Sequence, residues 1–578
     1  MKQHDILIGK RGGNYLRLPG SEHVVVYART RAGKTVGFAI PNAFTWGGSL
    51  VCLDVKGEIF HATAGHRKAM GQQVIKLDPT DREMRTHRWN PLSAIDRESP
   101  DRFDMIRRMS YSLWPDATAV SAASSNADRF WDPAGRSAFE GVTAIIAETP
   151  ELPLTLETVL RFFTVADSQE RLAGMIEERR RCRPPYSQVA VDQVSDYTCG
   201  SVEQVQGIRK VVSTKLAPWF SPRMQAATEC SDFDLRDLRR KPMSIYLTVA
   251  PGNIPRMRPY LTLFFEQLIA LNTDVLPEND RTITHQVLLL LDEFLRVGRV
   301  VEVAEAGQYA AGYGMRMAFI VQDKPQLAAR YGEDAMQDIF SNVGAECVFG
   351  VNDIKTTREL SERIGFNTVD IATETAPRWW GWLKFDKQTT SVHPNKRGLM
   401  LPQEIARMPL GEQIVLRPGM MPVRCQRVRW FDDPNFTGLQ RPASVVPPLE
   451  IKPLWMAGKP RFRGRSTSAY SSRRGPRSRP CLSPCRSSCA RRAIMAWTQH
   501  SCHQPQSSGS PLMVRRRATV ADLRRPLRSA DRGAVERSYR AGRCRTGSRA
   551  PRRAASSRAA RWRPYAPARW AHQARAGA

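Results

Sequence analysis

The sequence predicts an α/β fold of the P-loop NTPase type. It carries a mostly parallel sheet, an inserted all-helical domain and a C-terminal tail that does not fold. Three observations predict this. The apolar strand Val24-Val25-Val26-Tyr27 runs into a loop ending Gly33-Lys34-Thr35. A second apolar run, Val287-Leu288-Leu289-Leu290-Leu291, ends in Asp292-Glu293. Around them, short apolar strands alternate with amphipathic stretches, the order that builds a parallel sheet with right-handed crossovers.

The first element fits G-x-x-x-x-G-K-S/T, with Ala28 where the first Gly normally stands. Its backbone N–H groups over Thr30, Arg31, Ala32, Gly33, Lys34, Thr35 and Val36 are expected to cradle phosphate oxygens. Lys34 places a point charge on the β/γ phosphates, and Thr35 offers a hydroxyl to Mg²⁺. The helix that follows turns its positive end toward the anion. The methyl of Ala28 narrows the allowed φ range but removes no phosphate donor. A plain strand–turn–helix is the alternative, and the apolar strand before the loop argues against it.

The second element reads as a fully buried parallel strand. Two carboxylates at its carboxyl end match a Walker B element, with Asp292 in the Mg²⁺ shell and Glu293 activating the attacking water. Alone, such a pair is often a solvated strand end. Behind a P-loop it points to ATP hydrolysis rather than transfer to a small acceptor.

The other elements follow in order. Strands are predicted at 24–27, 49–53 and 73–77, with a helix from Thr35 ending by Pro41 or shortly after. The charged turn Asp54-Val55-Lys56-Gly57-Glu58 closes the second strand. It reads either as a ligand-contacting edge or as a cap on the next helix. Residues 1–99 form the first part of the nucleotide-binding domain. Residues 100–235 have helical spacing, as in Phe139–Ala147 and Leu156–Phe163, and read as an insertion suited to cargo rather than nucleotide.

The alternation resumes over 236–440. Strands are predicted at Ser244–Val249, Met317–Val321 and Cys347–Val351, and helices at Tyr260–Asn272, Val300–Ala311, Lys324–Phe340 and Lys355–Ile364. Trp379, Trp380 and Trp382 fall in a hairpin-like stretch.

The net charge of +31 invites a nucleic-acid reading until it is located. Residues 451–578 hold 31 of the 87 basic and 3 of the 56 acidic residues, leaving 56 against 53 in the body. Any DNA contact in the body must therefore come from a local patch. The tail has 29 Arg to 2 Lys and no sustained apolar period. Residues 441–578 are expected to be disordered, and the break after Glu450 has the composition of a frameshifted reading. Cys481, Cys485 and Cys489 lie there, and no zinc is expected. No run of about 20 apolar residues spans a membrane, so the chain as given reads as soluble.

These residues resemble a known family, the type IV secretion coupling proteins of the TraG/VirD kind. The resemblance runs from Gly12 to Phe436. It rests on Glu22-His23-Val24 leading into the P-loop, Asp54-Val55-Lys56-Gly57-Glu58, Trp89-Asn90-Pro91-Leu92 and Leu291-Asp292-Glu293-Phe294. Gly312-Tyr313-Gly314, Gln322-Asp323, Asn352-Asp353 and Glu412-Gln413-Ile414-Val415 extend it. Arg29 and Thr35 depart from the common family residues, Pro and Gly.

The resemblance implies a RecA-like homo-hexameric ATPase using ATP and Mg²⁺ on the cytoplasmic face of the bacterial inner membrane. Such a protein hands a relaxosome (relaxase and single-stranded DNA) or effector proteins to the secretion channel, its ATPases and its inner-membrane components. The family's N-terminal membrane segments are not in this sequence, which reads as N-terminally truncated and cytoplasmic. Gln322 maps to the family's γ-phosphate sensor. A trans-acting arginine is expected, with Arg316, Arg330 and Arg358 as candidates. Two rivals stay open: a non-catalytic nucleotide-binding docking adaptor, and a soluble DNA-pumping ATPase.

Overall fold

A computed structural model describes residues 1–451 apart from 2–3, 30, 116–125, 183, 298–299, 323 and 376–388. The expectations for Thr30, Asp323, the three tryptophans, the cysteines of the tail and the tail's own state lie outside the described residues.

The strands are β1 (Ile6–Arg11), β2 (Asn14–Leu18), β3 (His23–Tyr27), β4 (Ser49–Leu53), β5 (Gln73–Leu77), β6 (Met243–Leu247), β7 (Val287–Leu291), β8 (Met315–Val321) and β9 (Val343–Val348). A separate antiparallel pair, β10 (Phe366–Thr375) and β11 (Thr389–Gly398), precedes β12 (Glu412–Leu416) and β13 (Val423–Gln426). Eleven of these form one sheet in the order β2-β1-β13-β12-β9-β3-β8-β7-β4-β6-β5. From β9 to β5 every neighbouring pair is parallel. The other end is antiparallel, with Val415 opposite Cys347 and Lys10 opposite Gln426.

The parallel part follows from the apolar runs. All five residues of β7 are buried, as a strand covered on both faces requires. Alternation then assigns the faces. Odd-numbered Val25, Val51, Leu53, Leu289 and Leu291 pack on one side with Trp89, Phe139, Trp219 and Phe264. Even-numbered Val24, Val26, Leu50, Leu288 and Leu290 pack on the other with Ile6, Phe38, Phe44 and Phe60.

Several boundaries move. The helix after the P-loop ends shortly beyond Pro41, at Thr45. A π-helical turn over Thr35–Ala39 leads into α1 (Ile40–Thr45), and Pro41 sits in α1's first turn, where its missing N–H costs nothing. After α2 (Glu58–Ala69), the inserted segment carries α3 (Arg102–Leu113), α4 (Asn126–Ala147), α5 (Leu156–Thr164), α6 (Ser168–Cys182), α7 (Gln188–Gln193), α8 (Ser195–Cys199), α9 (Val202–Lys215) and α10 (Pro222–Ala227). Helix α11 (Ile254–Asn272) begins earlier than predicted and packs against α3. Trp89 meets the rings of Tyr260 and Phe264 edge-on at 5.3 and 5.1 Å. The insertion therefore shares one apolar core with the sheet's odd-numbered face.

Helices α12 (Phe294–Val297) and α13 (Val301–Ala306) follow the Walker B strand. The helix predicted over Lys324–Phe340 is two, α14 (Lys324–Tyr331) and α15 (Glu333–Ser341), broken where Gly332 takes a φ of 97°. Helix α16 (Ile354–Ile364) begins at the Asp353 cap, whose carboxylate accepts from Thr356 N at 2.7 Å.

Candidate nucleotide site

The site lies at the carboxyl ends of β3, β8 and β7. Because β8 runs between the other two, Gln322 at its end falls between the P-loop and Asp292-Glu293. Among the described residues, Lys34, Glu293, Arg296, Gln322, Gln326 and Arg330 line a cleft of about 500 Å³. That volume suits a small-molecule ligand.

The loop itself is tightly held. Ala28 is buried and donates its N–H to Val321 O at 2.9 Å, extending β3 by one step along β8. It is absent from the positive-φ positions, so nothing here needs the glycine of the usual pattern. The left-handed turn comes later, at Arg31 (φ 63°) and Gly33 (φ 77°). A non-Gly residue in that region carries strain of about 1–3 kcal/mol. Arg29 N donates to Gly350 O at 3.2 Å and anchors the loop to the end of β9.

The predicted chemical groups converge. Thr35 Oγ1 donates to Asp292 Oδ2 at 2.9 Å. Lys34 Nζ lies 3.2 Å from Asp292 Oδ1 and 3.4 Å from Glu293 Oε1. Asp292 Oδ1 is buried and accepts no hydrogen bond; the Lys34 ammonium is its ion-pair partner. Such a carboxylate oxygen beside a threonine hydroxyl fits a hard cation with oxygen ligands, which Mg²⁺ usually takes with substrate phosphates. Among the described residues no cluster of three or more His, Cys, Asp or Glu side chains could cage a metal without such help.

Glu293 has a left-handed backbone, φ 55°, at the strand-to-helix corner. Its Oε2 is 2.7 Å from Arg296 Nε, one helical turn on. Sequence reasoning named Glu293 but missed Arg296, although the three-residue spacing was a usable signal.

Asp54 ends β4, the strand next to β7. Its Oδ2 accepts from Phe60 N at 2.8 Å, so the charged turn caps α2. Lys56 and Glu58 face solvent as a loose pair at 3.9 Å. Burial, with the negative charge of Asp292 nearby, pushes the Asp54 carboxyl up to about 6. Asn90 is likewise a cap: its Oδ1 accepts from Leu92 N at 3.0 Å and its Nδ2 donates to Leu154 O at 2.8 Å.

The arginine candidates separate. Arg316 is fully buried at the start of β8, the end opposite the site, and donates to Glu22 O, His4 O and Leu18 O. It cannot serve as a trans-acting residue there. Arg330 lines the cleft of its own chain. Arg358 is exposed on α16.

The chain matches the family described as type IV secretory system conjugative DNA transfer over residues 2–448. It is 31% identical over 425 residues to protein VirD4 of Agrobacterium fabrum, covering 73% of this chain and 60% of that protein. It is 26% identical over 457 residues to conjugal transfer protein TraG of Escherichia coli, covering 73% and 69%. The chain thus spans about 60% of the length of the VirD4 relatives it matches. Among solved structures it is similar to the bacterial conjugative coupling protein TrwBdeltaN70, with a TM-score of 0.54 and 17% identity over 78% of this chain and 96% of that one. TrwB in complex with a non-hydrolysable GTP analogue gives a TM-score of 0.51 and 18% identity, covering 74% and 88%. At that identity the likeness concerns the fold. No helix among the described residues is long and apolar enough to cross a membrane.

Proposed function

The chain belongs to the type IV secretory system conjugative DNA transfer family, and from that premise we propose that it is an ATP-hydrolysing coupling motor that delivers a relaxase–DNA complex, or effector proteins, to a type IV secretion channel. The observation that carries this is the convergence of Lys34, Thr35, Asp292 and Glu293 at the carboxyl ends of neighbouring strands. Those four residues are the minimum set for phosphoryl transfer to water.

Each has a role. The amides of Arg31 to Val36, at a helix start whose first N–H groups have no intrahelical acceptor, bind the phosphates. Lys34 leaves its two carboxylates for the γ-phosphate. Thr35 and Asp292 hold Mg²⁺, which when bound neutralises charge developing on the phosphate oxygens. Glu293 orients the attacking water and accepts its proton. Gln322, between the two motifs, reports the γ-phosphate. Working as a homo-hexamer, the chain uses a trans-acting arginine for which Arg330 and Arg358 remain candidates.

Phosphate release by the full chain, with and without single-stranded DNA, tests this reading. Lys34→Ala is expected to abolish MgATP binding and turnover. Nucleotide binding without DNA-stimulated release would replace the motor with a docking adaptor.

A further inference from the structure

We propose that Arg427 is a positioning residue of the nucleotide site, a brace that sets the P-loop backbone from the far end of the sequence. The inference rests on the reading of residues 28–36 as a nucleotide loop.

Arg427 follows β13, and its own N–H donates to Gly411 O at 2.9 Å. The residue is 7% exposed, and its guanidinium lies over the Phe349 ring, 4.3 Å from the centroid. Nη1 donates to Ala32 O, Nη2 to Phe349 O and Nε to Glu412 O. Three carbonyls on three separate segments thus take one planar fork, the geometry arginine offers and lysine does not. Among the described residues no carboxylate pairs with it. Burial lowers its pKa to about 10, so it remains a cation at neutral pH.

Ala32 is where this matters. It lies between the two left-handed residues of the loop, Arg31 and Gly33. In a trans peptide the carbonyl and the next N–H point in opposite directions. Holding Ala32 O toward Arg427, which is not among the residues lining the cleft, therefore turns the Gly33 N–H away from Arg427. That amide is one of those expected to meet phosphate. Gly37 completes the fit: a Cβ there would come 3.3 Å from Phe349 and 3.8 Å from the Arg427 stem.

The test measures MgATP affinity of the full chain, steady-state turnover, and amide hydrogen exchange over residues 31–36. Arg427→Lys keeps the charge but can reach fewer carbonyls at once. It is expected to raise Kd and KM about tenfold, with kcat at saturation within about twofold. Exchange should quicken in the loop and stay unchanged in β7. Arg427→Met should do the same more strongly. Unchanged Kd and loop exchange in folded Arg427→Lys would overturn the proposal. So would failure of both variants to fold, which would make the residue a general prop. Lys34→Ala separates the two readings. If it retains nucleotide, the site assignment fails. If it loses nucleotide while both Arg427 variants bind normally, this inference alone fails.

Discussion

The two ends of the parallel sheet differ in what their buried positive charge faces. At the amino ends of the strands, three arginines sit in cages of backbone carbonyls. Arg67 reaches Ala43 O, Trp46 O and Gly48 O. Arg239 reaches Tyr313 O and Val275 O. Arg316 reaches Glu22 O, His4 O and Leu18 O. Each ties together segments that arrive at the sheet from different places. At the carboxyl ends Arg427 repeats such a cage behind the loop, but Lys34 faces two carboxylates. Nearby are an oxygen with no hydrogen bond and two non-Gly residues with positive φ. The carbonyl cages hold their guanidinium groups away from the cleft. On the proposed reading, the Lys34 cluster is completed by phosphate and metal that another molecule brings.

Several substitutions would break or sharpen that contrast. The largest effect is expected from Glu293→Gln, which should lower kcat about a hundredfold or more while ATP stays bound, the usual scale for removing a positioned base. Parental turnover would reassign the base. Next is Arg316→Met, which removes the guanidinium donor from three carbonyls at the amino end of β8. It should lower unfolding stability in urea by about 2–3 kcal/mol with ATP affinity unchanged. A comparable loss of affinity would mean that the two ends are not separate in role.

Asp54 gives the pH prediction. Its folded pKa of about 6 lies above the unfolded carboxylate value near 3.9. Between those values the folded chain holds the extra proton, so this group's contribution to stability falls as pH rises from about 4 to about 6 and is flat above. Asp54→Asn should remove that slope, a change on the order of 2–3 kcal/mol across the window. A variant whose stability profile still parallels the parent's would show that Asp54 titrates normally. The smallest effect is expected from Ala28→Gly, which restores the usual motif. Because Ala28 is a strand extension, ATP affinity should stay within about twofold and stability fall by about 0.5–1 kcal/mol. Tighter binding would mean that the methyl hinders the loop.

Much of this was legible in the sequence. Local pattern found β3, β4, β5 and β7 because a strand buried on both faces must be continuously apolar. It found Lys34, Thr35, Asp292 and Glu293 because their chemistry needs fixed residue types at strand ends. It missed the antiparallel part of the sheet. Strands β1, β2, β12 and β13 mix polar and apolar residues, and the pairing of β1 with β13 that joins the two hairpins spans hundreds of positions. Arg427 was invisible for the same reason: its carbonyl partners carry no side-chain signature. Arg316 was misjudged because residue type alone does not distinguish a caged arginine from a free one. The shared core of insertion and sheet was also hidden. Removing residues 100–235 would uncover the α11 face that α3 covers, so the insertion cannot be excised as cleanly as its composition suggests.

The pairing of β1 with β13 sets a timetable for the newborn chain. Lys10 Nζ bonds Asp433 at 2.8 Å and Gln413 Nε2 reaches Ile8 O, contacts spanning more than four hundred residues. At the ribosome's pace of about 5–20 residues per second, the first hairpin waits roughly 20–80 s for the strand that covers its edge. Arg427 arrives at the same late moment. Through that interval the hairpin offers an open β-edge, the kind that pairs with neighbouring nascent chains. The P-loop thus leaves the ribosome nearly four hundred residues ahead of the contact that seats it against the sheet's end.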